Sequence, residues 1–586
     1  MPSFYDFSNS EVVQQLKEVL AAMQIKDADA FRIRAYDNAV TALDNLTVSI
    51  KDVWEDDRLN QIPGIGSSLA QHLNELFTKG RVSEWEKVKE NLPEGMFGLI
   101  GLRGVGAKKA YKLASEFQLN SKETAIEELK DYAEKQEIRD LSGFGDKSEK
   151  DILEAIEQSK MTKSEKPRML LIRAEIIAER IKKHMNLLDC IEKMEVLGSF
   201  RRRNPTVGDL DFAVATTKTK EVIDHFLEFP EISEILAQGE NKVMVVLSND
   251  TQVDLRVSSP EAYGAMLQYN TGNVQHNIIL RTHALEKGLS LSEYGIKDKK
   301  TNKIKEFATE EEFYEYLGLQ YIPPELRYGH NEIELARENK IPKLIDVSDI
   351  KGDLHTHTVY SDGLNSVSEM AETALSLGYE YYGITDHSPS IQSRGRDEVE
   401  KLISSQKAEI ESFNKSQNKL RVLFGYELNI LVSNKLSLPD DILKELDIVV
   451  AGVHSSFEQD KNTMTKRLIS AIENEYVHII AHPLNRLINE RKAVDLNWNK
   501  VFDSIKENNK VLEINSQPNR LDLSDDLVRE AAQKGIKMII DTDAHQTSQL
   551  LYMRYGVDVA RRGWCERKHI LNTLPRSDFL KELGIK

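Results

Sequence analysis

Apolar positions recur three and four residues apart in "EVVQQLKEVLAAM" (11–23) and "AFRIRAYDNAVTALDNL" (30–46), the spacing of helices that turn one face to a core. Residues 1 to about 160 read in this way throughout, as helix after helix. The texture changes near residue 165. "KMEVLGSF" (193–200), "DLDFAVAT" (209–216), "KVMVVLS" (242–248) and "QVDLRVS" (252–258) alternate apolar and polar residues, as half-buried strands do. Further helical sequence is expected from Pro260 to about Phe313, and a polar, Pro-containing connection, "YIPPELRYGHNEIELARENKIPK" (321–343), leads to Asp346. Beyond it come seven apolar runs of strand length, separated by stretches long enough for helices. Seven βα units closing into a barrel would bring the strand ends to one rim.

Composition limits what this pattern can mean. At 586 residues the chain exceeds one hydrophobic core, and a prior of roughly 150 residues per domain predicts three or four units. The apolar fraction of 40% and charged fraction of 30% belong to a folded globular chain with no low-complexity segment. Two distant cysteines, Cys190 and Cys565, support neither a disulfide framework nor a cysteine zinc site. The start, "MPSFYDFSNS", lacks a basic and an apolar region, and no apolar run reaches the ~18 residues of a membrane span, so a cytoplasmic location is expected. A net charge of −17 excludes nucleic-acid binding by bulk charge and leaves that role to local clusters such as "GAKKAYK" (106–112) and "FRRRN" (200–204).

Among the expected helices a short pattern recurs, in "QIPGIGSSLAQHL" (61–73), "GLRGVGAKKAYKL" (101–113) and, more loosely, "DLSGFGDKSEKDIL" (140–153). Each is an apolar turn with G-x-G followed by a helix. Any one copy is explained by a glycine ending a helix. Together they look like helix-hairpin-helix motifs, in which glycines allow the turn and the next helix's free N–H groups hold a phosphate oxygen. Gly64, Gly66, Gly104, Gly106 and Lys108 are the candidate DNA contacts.

Asp209 and Asp211 lie two apart on an expected strand, so both carboxylates share a face. Asp254, on a strand expected to neighbour it, completes three carboxylates suited to two Mg²⁺ ions about 3.5–4 Å apart. D-L-D alone is explained by an exposed strand edge. The surrounding "GSFRRRNPTVGDLD" resembles the nucleotidyltransferase signature of family X DNA polymerases, and "YNTGNVQHNIILRTHALEKGLSLSEYG" (269–295) resembles their thumb. The resemblance covers roughly residues 1–330. It implies Asp209, Asp211 and Asp254 as metal ligands, and Gly198, Ser199 and Arg202 as the triphosphate site. Tyr269, Thr271, Gly272 and Asn277 would meet the nucleotide's sugar and base, and Arg281 the template. Two positions depart from the family pattern: Asn270 replaces the usual aromatic residue, and Asn273 the usual serine of T-G-S. His72 stands where some members carry a Schiff-base lysine, so no lyase activity is expected.

In the last 240 or so residues, apolar runs end in potential ligands: "KGDLHTHT", "YYGITDH", "VLFGYELN", "IVVAGVH", "VHIIAHP" and "MIIDTDAH". One histidine at a strand end is ordinarily structural. Six, joined by three acids, form a nitrogen-rich set that suits Zn²⁺, Mn²⁺ or Fe better than Mg²⁺ alone. This pattern resembles the PHP domain, a distorted seven-stranded phosphoesterase barrel, over about residues 348–575. The resemblance implies nine ligands: His355, His357, Asp362, His387, Glu427, His454, His482, Asp543 and His545. Asn429 stands where relatives often carry a second acid, and His478 and His569 read as ordinary side chains.

The expected fold is multidomain α/β. A helical DNA-binding domain with the first hairpin motif covers 1–85, and a fingers-like helical region with the others covers 86–162. A nucleotidyltransferase palm (163–258), thumb (259–325), linker (326–347) and PHP (β/α)7 barrel (348–586) follow. The resemblance to bacterial and archaeal family X polymerases implies short-gap filling in base excision repair, with Mg²⁺ or Mn²⁺ at the palm. It also implies a barrel 3′-5′ exonuclease using Mn²⁺ and/or Zn²⁺. Gapped or primer-template DNA and deoxynucleoside triphosphates would be its partners, and the chain a monomer. The alternative is a DNA-binding scaffold with a catalytically weak polymerase core, in which the PHP phosphoesterase is the only active site. In a third reading both sites are vestigial.

Overall fold

A computed structural model of the chain describes residues 7, 9–26, 28–44, 50–55, 58–62, 64–100, 102, 105–122, 124–163 and 168–585. It divides into two compact units, Met1–Lys166 and Pro167–Lys586. None of the helices among the described residues is long and apolar enough to cross a membrane.

Among the described residues of the first unit, all regular secondary structure is helical. Helix Ser67–Lys79 shows why: Leu69, Leu73, Leu76 and Phe77 fall on one face and are buried, and Gly80 at φ 74° ends the helix in the left-handed conformation. Leu16, Val19 and Met23 of Asn9–Ile25 pack with them. A second core forms around Met96, Leu99, Leu113 and Leu129.

The second unit holds two main sheets. The palm sheet has five strands, and two of them, Leu210–Ala215 and Gln252–Ser258, run parallel with Asp211 directly opposite Asp254. Its edge strand, Ile232–Gln238, has no counterpart in the sequence reading, because "ISEILAQ" is almost wholly exposed and does not alternate cleanly. Asp209 lies one residue ahead of its strand, in a bend, and not on it.

Helical sequence was expected from Pro260 to Phe313, but only Tyr263–Thr271, Val274–Glu286 and the helix starting at Glu310 are helical. Between them, Leu289–Ser292, Gly295–Asp298 and Ile304–Lys305 form an antiparallel sheet. Gly295, at φ 142°, is the reason: a Cβ there would lie 2.2 Å from the Lys305 carbonyl oxygen. The stretch read as a linker is packed. Arg327 is fully buried against Glu310, and Glu332 is buried against His276.

The barrel has seven parallel strands in sequence order, from Gly352–Asp353 to Met538–Asp541. A parallel bridge between Thr356 and Ala544 joins the first to the last. The strands are buried on both faces, as a sheet enclosed by helices requires. Leu354, Tyr381, Leu423, Val511 and Ile539 fill the interior, and Phe579 of the helix Arg576–Glu582 stacks on Tyr381 at 4.1 Å. That stopper sits where the strands begin, which leaves the opposite rim to the ligands.

Candidate active sites

In the first unit, Gly64 (φ 94°) makes the hairpin turn, with Ile62 and Ile65 buried on either side. Gly66 and Gly106 are the N-caps of Ser67–Lys79 and Ala107–Glu116, and neither has a capping side chain. A Cβ on either glycine would meet nothing within 4 Å, so the first-turn N–H groups are open to an anion. Lys108 is exposed in the first turn of the second helix. Gly104 lies outside the described residues. His72 is engaged by Tyr36 (3.2 Å) and Glu84 (2.9 Å).

In the palm, burial first, and then Asp209 and Asp254, push the Asp211 carboxyl up to about 6. Carboxylates clustered in this way repel one another and call for a counter-charge. Protein cations meet some of that demand: Lys242 Nζ lies 2.9 Å from Asp254, and Arg256 stands 4.0 Å from both Asp211 and Asp254. Gly198 (φ 59°) brings the chain beside these acids, where a Cβ would lie 3.2 Å from Asp211 Oδ2.

The turn after Gly198 faces the turn after Tyr269. Arg202 donates to the Thr271 carbonyl, and Arg201 donates to the Thr271 hydroxyl at 2.7 Å. Arg202 Nε is buried without a hydrogen bond, and Ser199 Oγ accepts from Arg168 at 3.4 Å. Asn277 donates to the Tyr269 carbonyl (2.8 Å), so its amide fixes the turn, and Thr271 is fully buried. The Arg281 guanidinium lies 5.9 Å from the centre of the exposed Tyr269 ring. Asn270 donates to the Met266 carbonyl, and Asn273 caps the helix that carries Asn277 and Arg281.

At the barrel rim all nine expected ligands converge. Four overlapping groups, each with ligand atoms within 4.8 Å of one another, use every one: His357–Asp362–His387–His545, His355–Glu427–His482, His355–His357–Asp543 and His387–Glu427–His454. Glu427 is the hub, at 2.8 Å from His482, 2.9 Å from His454 and 2.9 Å from His387. Burial alone would raise Glu427 and Asp543, yet the facing histidines hold both carboxyls well below the usual range. His355 Nε2, His357 Nδ1, Glu427 Oε2 and His454 Nε2 are buried and make no hydrogen bond. Orphaned nitrogen and oxygen atoms turned toward one another fit metal ions. His482 and Asp543 hold φ of 27° and 53°, strained values tolerated at functional positions.

Sequence reasoning missed the carboxylates behind the ligands. Glu513 is fully buried, with Oε1 2.5 Å from His355 Nδ1 and Oε2 accepting the His482 N–H at 2.6 Å. A proton on His355 Nδ1 directed at Glu513 leaves Nε2 as a lone pair facing Glu427 and Asp543. Asp386 accepts from Thr358, Ser361 and Gln406, bracing the loop to Asp362. The available signal for Glu513 was a lone acid in the middle of the otherwise apolar run of "VLEINS", the strand Val511–Asn515. Asn429 accepts the His454 N–H at 3.3 Å. His478 and His569 accept backbone N–H groups and stand apart from the cluster.

Comparison with known proteins gives four family matches: a helix-hairpin-helix domain (residues 7–82), a SAM-like helix-hairpin-helix tandem (98–158), the DNA polymerase beta thumb (266–328) and the PHP domain (353–517). The chain is 36% identical over 576 residues to the DNA polymerase/3′-5′ exonuclease PolX of Bacillus subtilis, covering 97% of this chain and 99% of that protein. The chain is also 30% identical over 232 residues to a protein of Thermoanaerobacter sp. named "Probable phosphatase", covering 38% of this chain and 89% of that protein. A protein of the same description from Acetivibrio thermocellus is 29% identical over 202 residues, 33% of this chain and 78% of that protein.

Proposed function

The chain belongs to the family of PolX DNA polymerase/3′-5′ exonucleases, and from that premise we propose that its palm fills short DNA gaps in base excision repair while its barrel removes 3′-terminal nucleotides. The observation that carries the reading is the pair of separate acid constellations in one unit, the first around Asp211 and the second around Glu427. Gapped or primer-template DNA and deoxynucleoside triphosphates are the substrates, acted on by a cytoplasmic monomer.

In the palm, Arg202 and Ser199 receive the triphosphate as fixed charge and hydroxyl donor, and the Tyr269–Gly272 turn bounds the sugar and base. At the barrel, Glu513 orients His355, and Gly452 leaves room between His482, His454 and Glu427, where a Cβ would stand 2.8–3.2 Å from all three. The side chains of Asp362 and His387 are 45% and 38% exposed whereas His355 and His357 are fully buried, so the DNA end approaches over Asp362 and His387. Mg²⁺ or Mn²⁺ held by Asp209, Asp211 and Asp254, and Mn²⁺ and/or Zn²⁺ held by the nine barrel residues, would supply charge against phosphate and lower the pKa of the attacking group.

The Lys242–Asp254 pair favours a second reading, in which the palm is a weak polymerase on a DNA-binding scaffold and the barrel alone is active. Extension of a primer across a one-nucleotide gap separates the two. Equal extension by wild type and Asp211→Ala would sink the polymerase assignment, and 3′ digestion that survives His355→Ala with Asp543→Ala would sink the barrel site.

A further inference from the structure

Helix Met553–Arg562 follows the last barrel ligand in sequence, yet its polar face reaches into the palm. The Nε and one terminal nitrogen of Arg203 lie 2.8 and 2.7 Å from Asp558 Oδ2, and the same terminal nitrogen lies 2.7 Å from Glu175 Oε1. The other oxygen of Glu175 accepts from Arg554 (2.7 Å) and Tyr555 (2.5 Å). Arg562 donates to the Arg203 carbonyl. Arg203 therefore has its side chain and its backbone held by one helix of the barrel.

Arg203 also has φ 58°, a left-handed conformation that costs a non-glycine residue free energy and persists where the surroundings fix it. It directly follows Arg202, and the next residue, Asn204, accepts from Tyr328 at 2.6 Å. The turn that carries Ser199 and Arg202 is thus clamped at its far end. All three ion-pair partners are largely buried, with side-chain exposures of 21% for Arg203, 13% for Asp558 and 16% for Glu175, so salt screens them little.

We infer that Asp558, a residue of the barrel half, is a positioning residue for nucleotide incorporation, acting through Arg203 to set the turn that receives the triphosphate. The inference rests on the polymerase reading of the palm. It makes the barrel a structural support of the polymerase site, by a contact between residues 355 positions apart. With both Asp558 and Glu175 on it, the Arg203 guanidinium is kept off the phosphates and Arg202 is left to meet them.

The test uses full-length Asp558→Asn, with single-nucleotide gap filling measured against triphosphate concentration and 3′ digestion of a single-stranded primer measured in the same preparation. The expected result is a KM for the incoming nucleotide raised about tenfold, with kcat and 3′ digestion within about twofold of wild type. Asp558→Glu should restore most of the KM. Arg203→Gly should reproduce the rise, because glycine accepts the left-handed backbone and removes only the anchor. An unchanged KM in both Asp558→Asn and Arg203→Gly overturns the inference. So does a parallel fall of both activities, the mark of an interface that only holds the fold together. A wild-type chain that extends no primer would refute the polymerase reading itself, and this inference with it.

Discussion

Replacing Glu513 with glutamine changes one oxygen of a fully buried carboxylate into an NH2 group and removes its charge. The carboxylate serves two donors, His355 Nδ1 at 2.5 Å and the His482 N–H at 2.6 Å. Glutamine keeps an acceptor for one and turns a donor toward the other. One unsatisfied buried donor costs about 1–3 kcal/mol, which a unit of this size tolerates. The larger effect falls on His355, which loses the partner that fixes its ring and increases its basicity. Such partners are worth about 10–100-fold in metal affinity. The assay pairs the metal content of dialysed protein with the Mn²⁺ dependence of 3′ digestion, and gap filling in the same sample reports whether the chain is folded. We expect Glu513→Gln to shift the Mn²⁺ requirement upward by that factor, with digestion recovering at high Mn²⁺ and gap filling unchanged. Wild-type metal content with a wild-type Mn²⁺ profile would refute the reasoning.

Gly452→Ala should reduce 3′ digestion at least about tenfold at an overpacking cost of about 1–3 kcal/mol, since its Cβ would press on His482 Cε1 at 2.8 Å; normal digestion would mean the site has slack. Asp522 is fully buried, accepts the N–H groups of Leu484 and Asn485, and is pushed up to about 6 chiefly by burial. Its folded value exceeds its unfolded one near 3.9, so the stability it contributes is complete below about pH 4 and declines as pH rises to about 6. Thermal midpoints of Asp522→Asn should therefore gain on wild type between pH 4.5 and 7, and parallel curves would contradict this. Lys108→Ala should weaken DNA binding evenly across sequences and lower the slope of log affinity against log salt by about 1, as loss of one phosphate contact does; an unaltered slope places Lys108 off the DNA.

The six histidines at the barrel rim were legible because they close apolar runs, and in a barrel such ends meet at one rim whatever their distance along the chain, whereas Asp362, in the loop after the first run, rested on the resemblance to the PHP domain. The palm acids were legible for a similar reason, since two strands in parallel register bring Asp211 opposite Asp254. Glu513, Asp386 and Asp522 were not, because a buried acid is identified by the imidazole or backbone N–H it serves, and those partners lie 20 to 158 residues away. The edge strand Ile232–Gln238 escaped because its side chains are exposed on both faces, so hydropathy carries no period. The thumb sheet was hidden within an expected helix by polar residues that suit either form, and only Gly295 marked the turn. No local pattern could pair Arg203 with Asp558.

The bridge between Thr356 and Ala544 has a consequence for how the chain comes into being. During synthesis the palm acids are complete once residue 254 has emerged, but the barrel site needs a segment made almost 300 residues later. Domains fold in the order they leave the ribosome. A nascent chain, or one broken before the strand Met538–Asp541, holds His355 and His357 without Asp543 and His545 and has no closed rim. The barrel's ligand set is thus complete only when Asp543 and His545 have emerged, and a molecule broken before that strand lacks part of the rim at which a DNA end would be cut.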